Sequence, residues 1–151
     1  QVAGRAGRKK DLGKVYLQTS MPDHPIIQKI LDHDYVGMYE NDLNEREKFN
    51  YPPFYRLIQI TIKHKDALEL YKLGGIAKNK LSTYFGSSLL GQEKPYVGKI
   101  RNWYILNFVL KIPNQGGPIK AQKSKLLQAI HQLEKTKEFN KARVIIDVDP
   151  L

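Results

Sequence analysis

The chain has 151 residues, 41% of them hydrophobic and 26% charged, which suits one domain, or one domain plus part of another, around a real core. It has no cysteine, which excludes a disulfide framework and thiolate metal sites. The formal net charge is +10, which suits either a polyanionic partner or a solubilising surface, and no apolar run approaches the ~20 residues a bilayer span requires.

The chain opens on Gln1-Val2-Ala3-Gly4-Arg5-Ala6-Gly7-Arg8, which is similar to the sixth motif of superfamily 2 helicases, a glutamine followed by glycine-arginine-x-glycine-arginine. Phosphoryl transfer spreads negative charge over the γ-phosphate oxygens, and a planar guanidinium meets two of them without losing its proton. Arg5 and Arg8 are the candidate catalytic residues, with Gln1 beside them as nucleotide-site residues. The opening lacks an initiator Met and falls inside a motif, so a piece of a longer chain is expected. No secretory leader pattern is present.

Alternation over Gly13–Ser20 predicts a strand. Two helices follow, one over about His24–His33 with Ile27, Ile30 and Leu31 on one side, the second over Asp34–Phe49. Pro52-Pro53 ends the second helix, because proline disfavours helix in the residue before it. Tyr51 to Phe54 reads as a rigid hinge, and a domain boundary is expected near residue 50. The charge shifts at the same place: residues 1–50 hold eight basic and eight acidic residues, whereas 51–151 hold seventeen and seven.

Beyond the boundary, Phe54–His64 alternates as a half-buried strand. Asp66 and Glu69 have the spacing of a capping box, and the helix after them is expected to bury Leu70, Leu73, Ala77, Leu81 and Tyr84. Gly86-Ser87-Ser88 closes it. A loop with Gly91 and Pro95 leads to a short strand over about Tyr96–Arg101, then a longer one over Trp103–Ile112. A helix over about Ile119–Lys135 turns Leu126, Ile130 and Leu133 inward, and Arg143–Asp149 alternates as a last strand. The fold class is therefore α+β, with the order β-α-β-β-α-β of a ferredoxin-like split βαβ unit. Both helices would cover one sheet face. By strand phase the other face would present Leu57, Gln59, Thr61, Lys63, Arg101, Trp103, Asn107, Lys111 and Arg143.

Lys63, Arg101, Trp103, Lys111, Lys120, Lys123 and Arg143 are the candidate DNA-binding residues, the cations for phosphates and the indole for a base. The same face could instead pack on a neighbouring lobe, and the lysines of the last helix could be merely solvated. Asp147 and Asp149 read as strand-end carboxylates rather than a metal pair. The four histidines (His24, His33, His64, His131) lack ligand spacing, so no metal site is expected. His131 reads as a surface residue, and His24 and His33 have no evident partner.

Gly13-Lys14-Val15-Tyr16-Leu17-Gln18-Thr19, Pro22, Arg46, Tyr51-Pro52-Pro53-Phe54, Ile100-Arg101-Asn102-Trp103-Tyr104 and Ile146-Asp147-Val148-Asp149-Pro150 resemble the primosomal protein N′ family of helicases, from the first residue to the last. The resemblance implies the C-terminal part of an ATP-dependent 3′–5′ DNA helicase that reloads the replication machinery at abandoned forks. It implies residues 1–50 as the last strand and helices of a RecA-like helicase lobe, and 51–151 as a basic, ribosomal-S10-like DNA- and partner-binding domain. Implied partners are forked and single-stranded DNA, the acidic tail of the single-stranded-DNA-binding protein and other primosome proteins. The implied setting is bacterial cytoplasm at the nucleoid. ATP and Mg2+ are implied for the longer protein and zinc for a cysteine-rich region, which this chain lacks together with the phosphate-cradling Gly-Lys-Ser/Thr loop and the acidic magnesium motif. The chain alone is therefore expected to hydrolyse no ATP. The alternative is a stand-alone ferredoxin-like module that binds nucleic acid or an acidic tail without motor function.

Overall fold

The computed structural model describes residues 14–115 and 119–150, which form two compact units that divide after Asp42. Gln1, Arg5 and Arg8 lie outside the described residues. The first unit contains α1 (Pro25–Leu31) and the start of α2 (Tyr35–Lys48). His24 has a partner after all: it is the N-cap of α1, and its Nδ1 accepts the Ile26 N–H at 3.3 Å. The strand expected over 13–20 is absent from described residues 14–20. An alternating pattern forms a strand only where a neighbour takes up its backbone hydrogen bonds, and here Val15, Tyr16 and Leu17 are exposed.

In the second unit β1 (Tyr55–His64), β2 (Leu89–Glu93), β3 (Lys99–Ile100), β4 (Trp103–Pro113) and β5 (Arg143–Val148) make one antiparallel sheet, ordered β2-β4-β1-β5, with β3 on β4. The helix α3 (Ala67–Phe85) connects β1 to β2, and α4 (Ile119–Glu134) lies between β4 and β5. Each helix thus joins two strands that a third separates. The register Ile58↔Leu110, Ile60↔Phe108, Ile62↔Leu106 puts apolar partners on one face, and those six residues are buried. Against them pack Leu70, Leu73, Ala77 and Leu81 of α3 and Leu126, Ala129, Ile130 and Leu133 of α4. Phe139, in a 3-10 turn over Lys137–Lys141, belongs to the same buried core. Truncating a fully buried aromatic such as Phe108 in a core of this kind costs ~3–5 kcal/mol.

Three expectations are corrected here. The strand expected over Tyr96–Arg101 is only the two-residue β3, and the longer strand, β2, occupies the segment taken for a loop. β2 borders β4 alone, and its register slips between Gly91 and Glu93, so it shows no clean alternation. Gly91 has φ +110°, and an added Cβ would meet the Asn107 carbonyl oxygen at 2.7 Å, so its glycine serves this irregularity rather than a loop. Tyr84 is not buried: at the end of α3 its hydroxyl reaches the Gln132 Oε1 on α4 at 3.4 Å. The capping box is half made. Asp66 Oδ1 accepts the N–H groups of Leu68 and Glu69 at 2.8 and 2.9 Å, but the Asp66 N–H goes to His64 Nδ1 at 3.0 Å, and Glu69 pairs with Lys72 instead.

The segment between α2 and β1 is pinned at several points. Lys111 Nζ donates to the Phe49 carbonyl at 2.7 Å, the Asn114 N–H to the Phe54 carbonyl at 2.9 Å, the Asn114 amide to the Pro53 carbonyl, and Arg46 to the Pro52 carbonyl at 3.2 Å. Asp149 ends β5 by pairing with Arg56 at 3.4 Å and accepting the Leu57 N–H at 3.3 Å.

Candidate nucleic-acid interface

The sheet face away from the helices carries odd-numbered residues of β1, β4 and β5. Its rows run Lys63 beside Ile105 and Arg143, Thr61 beside Asn107 and Ile145, Gln59 beside Val109 and Asp147, and Leu57 beside Lys111. Ile105, Val109 and Ile145 were absent from the expected set, and they make the middle of the face more apolar than expected. At its centre Gln59 donates to Thr61 Oγ1 at 3.2 Å and Thr61 to Asn107 Oδ1 at 3.0 Å. No buried side-chain polar atom lacks a partner among the described residues.

The two ends of β4 differ. At the far end, Lys111 lies 4.0 Å from the Tyr51 ring centroid and is tied to the Phe49 carbonyl, so it braces the segment before β1. It stands eight residues from Trp103, about 26 Å along a strand rising ~3.3 Å per residue. Lys120 and Lys123 sit at the start of α4, in the helix layer. These three are not brought to the tryptophan.

The near end gathers the others. Arg101 and Asn102 form the two-residue connection from β3 to β4, both at positive φ (+47° and +64°), the backbone that tight hairpins favour. Trp103 follows, half-buried. The Arg143 guanidinium lies 4.6 Å from its ring centroid and Lys65 Nζ 5.7 Å, each contact worth ~0.5–1 kcal/mol at an exposed site. Lys63 stands directly opposite Arg143 on the neighbouring strand. A groove of about 450 Å³ opens here, lined by His64, Lys65, Asp66, Trp103, Lys141 and Arg143.

Among the described residues no carboxylate forms a salt bridge to Lys63, Lys65, Lys141 or Arg143. The one acid in the wall, Asp66, is committed to capping α3. Its carboxyl is held below its ordinary value of 3.8, chiefly by the Glu69 N–H and also by the Leu68 N–H, against an opposing desolvation. The groove therefore joins a flat aromatic ring to several cations that their own fold leaves without counter-charge, an arrangement able to hold a base by its face and phosphates by charge.

Of the sequence candidates, Lys63, Trp103 and Arg143 come together, with Arg101 on the adjoining hairpin. Lys65 and Lys141 were missed. They lie just outside β1 and β5, where strand phase says nothing of direction. The one available signal was their spacing of two from Lys63 and Arg143.

Residues 47–151 match the family described as the primosomal protein N C-terminal domain. The chain is 30% identical over 151 residues to the replication restart protein PriA of Bacillus subtilis, covering 99% of this chain and 18% of that protein. It is 31% identical over 157 residues to the Synechocystis sp. protein of the same name, covering 100% and 17%. For the Haemophilus influenzae protein the figures are 32% over 154 residues, 99% and 20%. The chain thus spans about a fifth of the length of these curated relatives.

Proposed function

Because this chain belongs to the primosomal protein N C-terminal domain family, we propose that it is the DNA- and partner-binding part of an ATP-dependent 3′–5′ helicase that restarts replication at stalled forks. The observation that carries the reading is the gathering of Lys65, Lys141 and Arg143 around the chain's single tryptophan, with Lys63 opposite Arg143 in the sheet. In this reading residues 51–151 are the DNA- and partner-binding domain, and residues 1–50 complete a RecA-like helicase lobe. The strand order β2-β4-β1-β5 supports a ferredoxin-like, ribosomal-S10-like split βαβ unit, with β3 as an addition on β4.

The face divides its work. The Trp103 end meets nucleic acid, while the apolar middle around Val109 and Ile145 suits protein contact within the longer protein. ATP with Mg2+ belongs to that protein, where Gln1, Arg5 and Arg8 would meet nucleotide phosphates. Zinc belongs elsewhere in it, since this chain offers no cysteine and no His/Asp/Glu group for a metal among the described residues. No described helix is long and apolar enough to cross a membrane, and a bacterial cytoplasmic setting follows from the DNA role. Other primosome proteins and the acidic tail of the single-stranded-DNA-binding protein are further partners in this reading.

The test is a titration of labelled forked and single-stranded DNA with the full chain at several salt concentrations. Log affinity is expected to fall linearly with log salt, by ~0.9 per phosphate contact on duplex and ~0.7 on single strands. Absence of DNA binding at low salt, with clear binding of an acidic tail peptide, would favour the module that serves an acidic protein segment.

A further inference from the structure

We propose that the groove beside Trp103 is a subsite for one unstacked nucleotide of a single strand, with the base on the indole and its flanking phosphates on Lys141 and Arg143. This rests on the nucleic-acid reading above and narrows it. The groove, about 450 Å³, falls in the range of pockets that take small ligands, ~300–1,000 Å³. Inside a duplex a paired base shows only its edges, so a ring set into a groove there is met face to face only by a base that has left its stack.

Arg143 holds the place of that base. Its guanidinium lies 4.6 Å from the ring centroid, and a guanidinium plane stacks on an aromatic face much as a base does. An arriving base takes over the ring and Arg143 turns to the phosphate, exchanging an exposed cation–π contact for base stacking and a charge-assisted hydrogen bond. Lys63, opposite Arg143 in the sheet, favours the exchange, because an anion between two like charges removes their repulsion.

Asp66 gives the groove a direction. Its carboxylate closes the end of α3 by accepting the Leu68 and Glu69 N–H groups, and so repels phosphate there. Phosphates are directed instead to the Lys141 and Arg143 side, leaving the α3 side to the amino edge of a base. An acidic peptide without aromatic residues would satisfy the cations but give the indole no flat partner.

Trp103 is the chain's single tryptophan, so its emission reports this groove alone. Titration of the full chain with a short deoxycytidine oligomer is expected to quench that emission. A blunt duplex of two separate strands, bound to the same occupancy by anisotropy of a label on the DNA, is expected to leave it unchanged. Trp103→Ala should weaken oligomer binding roughly tenfold or more, whereas Trp103→Phe keeps most of it. Both variants are compared with the parent by circular dichroism, and the Phe variant keeps the test informative if the Ala variant fails to fold. Oligomer binding with unchanged emission, equal quenching by the duplex, or quenching by an acidic peptide alone would overturn the subsite. In the first two cases the DNA reading survives, because DNA is still bound. Absence of binding to any DNA overturns both.

Discussion

Lys63 and Arg143 face each other on neighbouring strands, and like charges so placed cost a sheet about 0.2–1 kcal/mol. A surface under no other demand would be more stable with one of them neutral. Lys63→Gln is therefore expected to raise stability by about that amount in urea denaturation while weakening DNA binding and reducing the salt slope by ~0.7–0.9. A variant that is less stable than the parent would show that the pair costs nothing. At this scale part of the site was legible beforehand. Strand alternation placed Lys63, Trp103 and Arg143 on one face, because side-chain direction repeats every two residues. Lys65 and Lys141 follow no such period. The same face pattern grouped Lys111 with the others, although its ammonium braces Phe49 and Tyr51 at the opposite end.

Among the elements, α3 shows how a short motif sets a boundary. Asp66 accepts two N–H groups of the first turn that would otherwise lack intrahelical partners. Those bonds favour the ionised carboxylate, so its native pKa lies below the ordinary 3.8. A depressed native pKa means the cap contributes fully above the unfolded value, and its contribution is lost as pH falls through the native one. Asp66→Ala should thus lower the Tm most at neutral pH, with the difference from the parent shrinking below about pH 4. Asp66→Asn, which still presents an acceptor, should keep most of the stability and lose the pH dependence. A difference that stays constant into acid would argue against the cap. The strands β1, β4 and β5 and the helices were readable to within a residue or two, because each repeats its apolar period over several turns or pleats. Strand β2 was not, since an edge strand with a register slip at Gly91 needs no alternation.

For the molecule as a whole, the chain spans about a fifth of its relatives, and in the proposed reading motor chemistry belongs to a longer protein. The purified chain with ATP, Mg2+ and single-stranded DNA is expected to release phosphate at the background rate. DNA-stimulated turnover in a phosphate-release assay would sink that expectation. The sequence by itself determined the α+β class, the charge shift near residue 50, the cap of α3 and the family, since all of these are written in local order and periodicity. Only the tertiary structure decided that β2 forms, that the stretch over 14–20 is no strand, and which cations surround Trp103. The physical reason is the same in each case. Whether a strand forms depends on a neighbour's backbone hydrogen bonds, and a groove arises where residues far apart in the chain are brought together by packing.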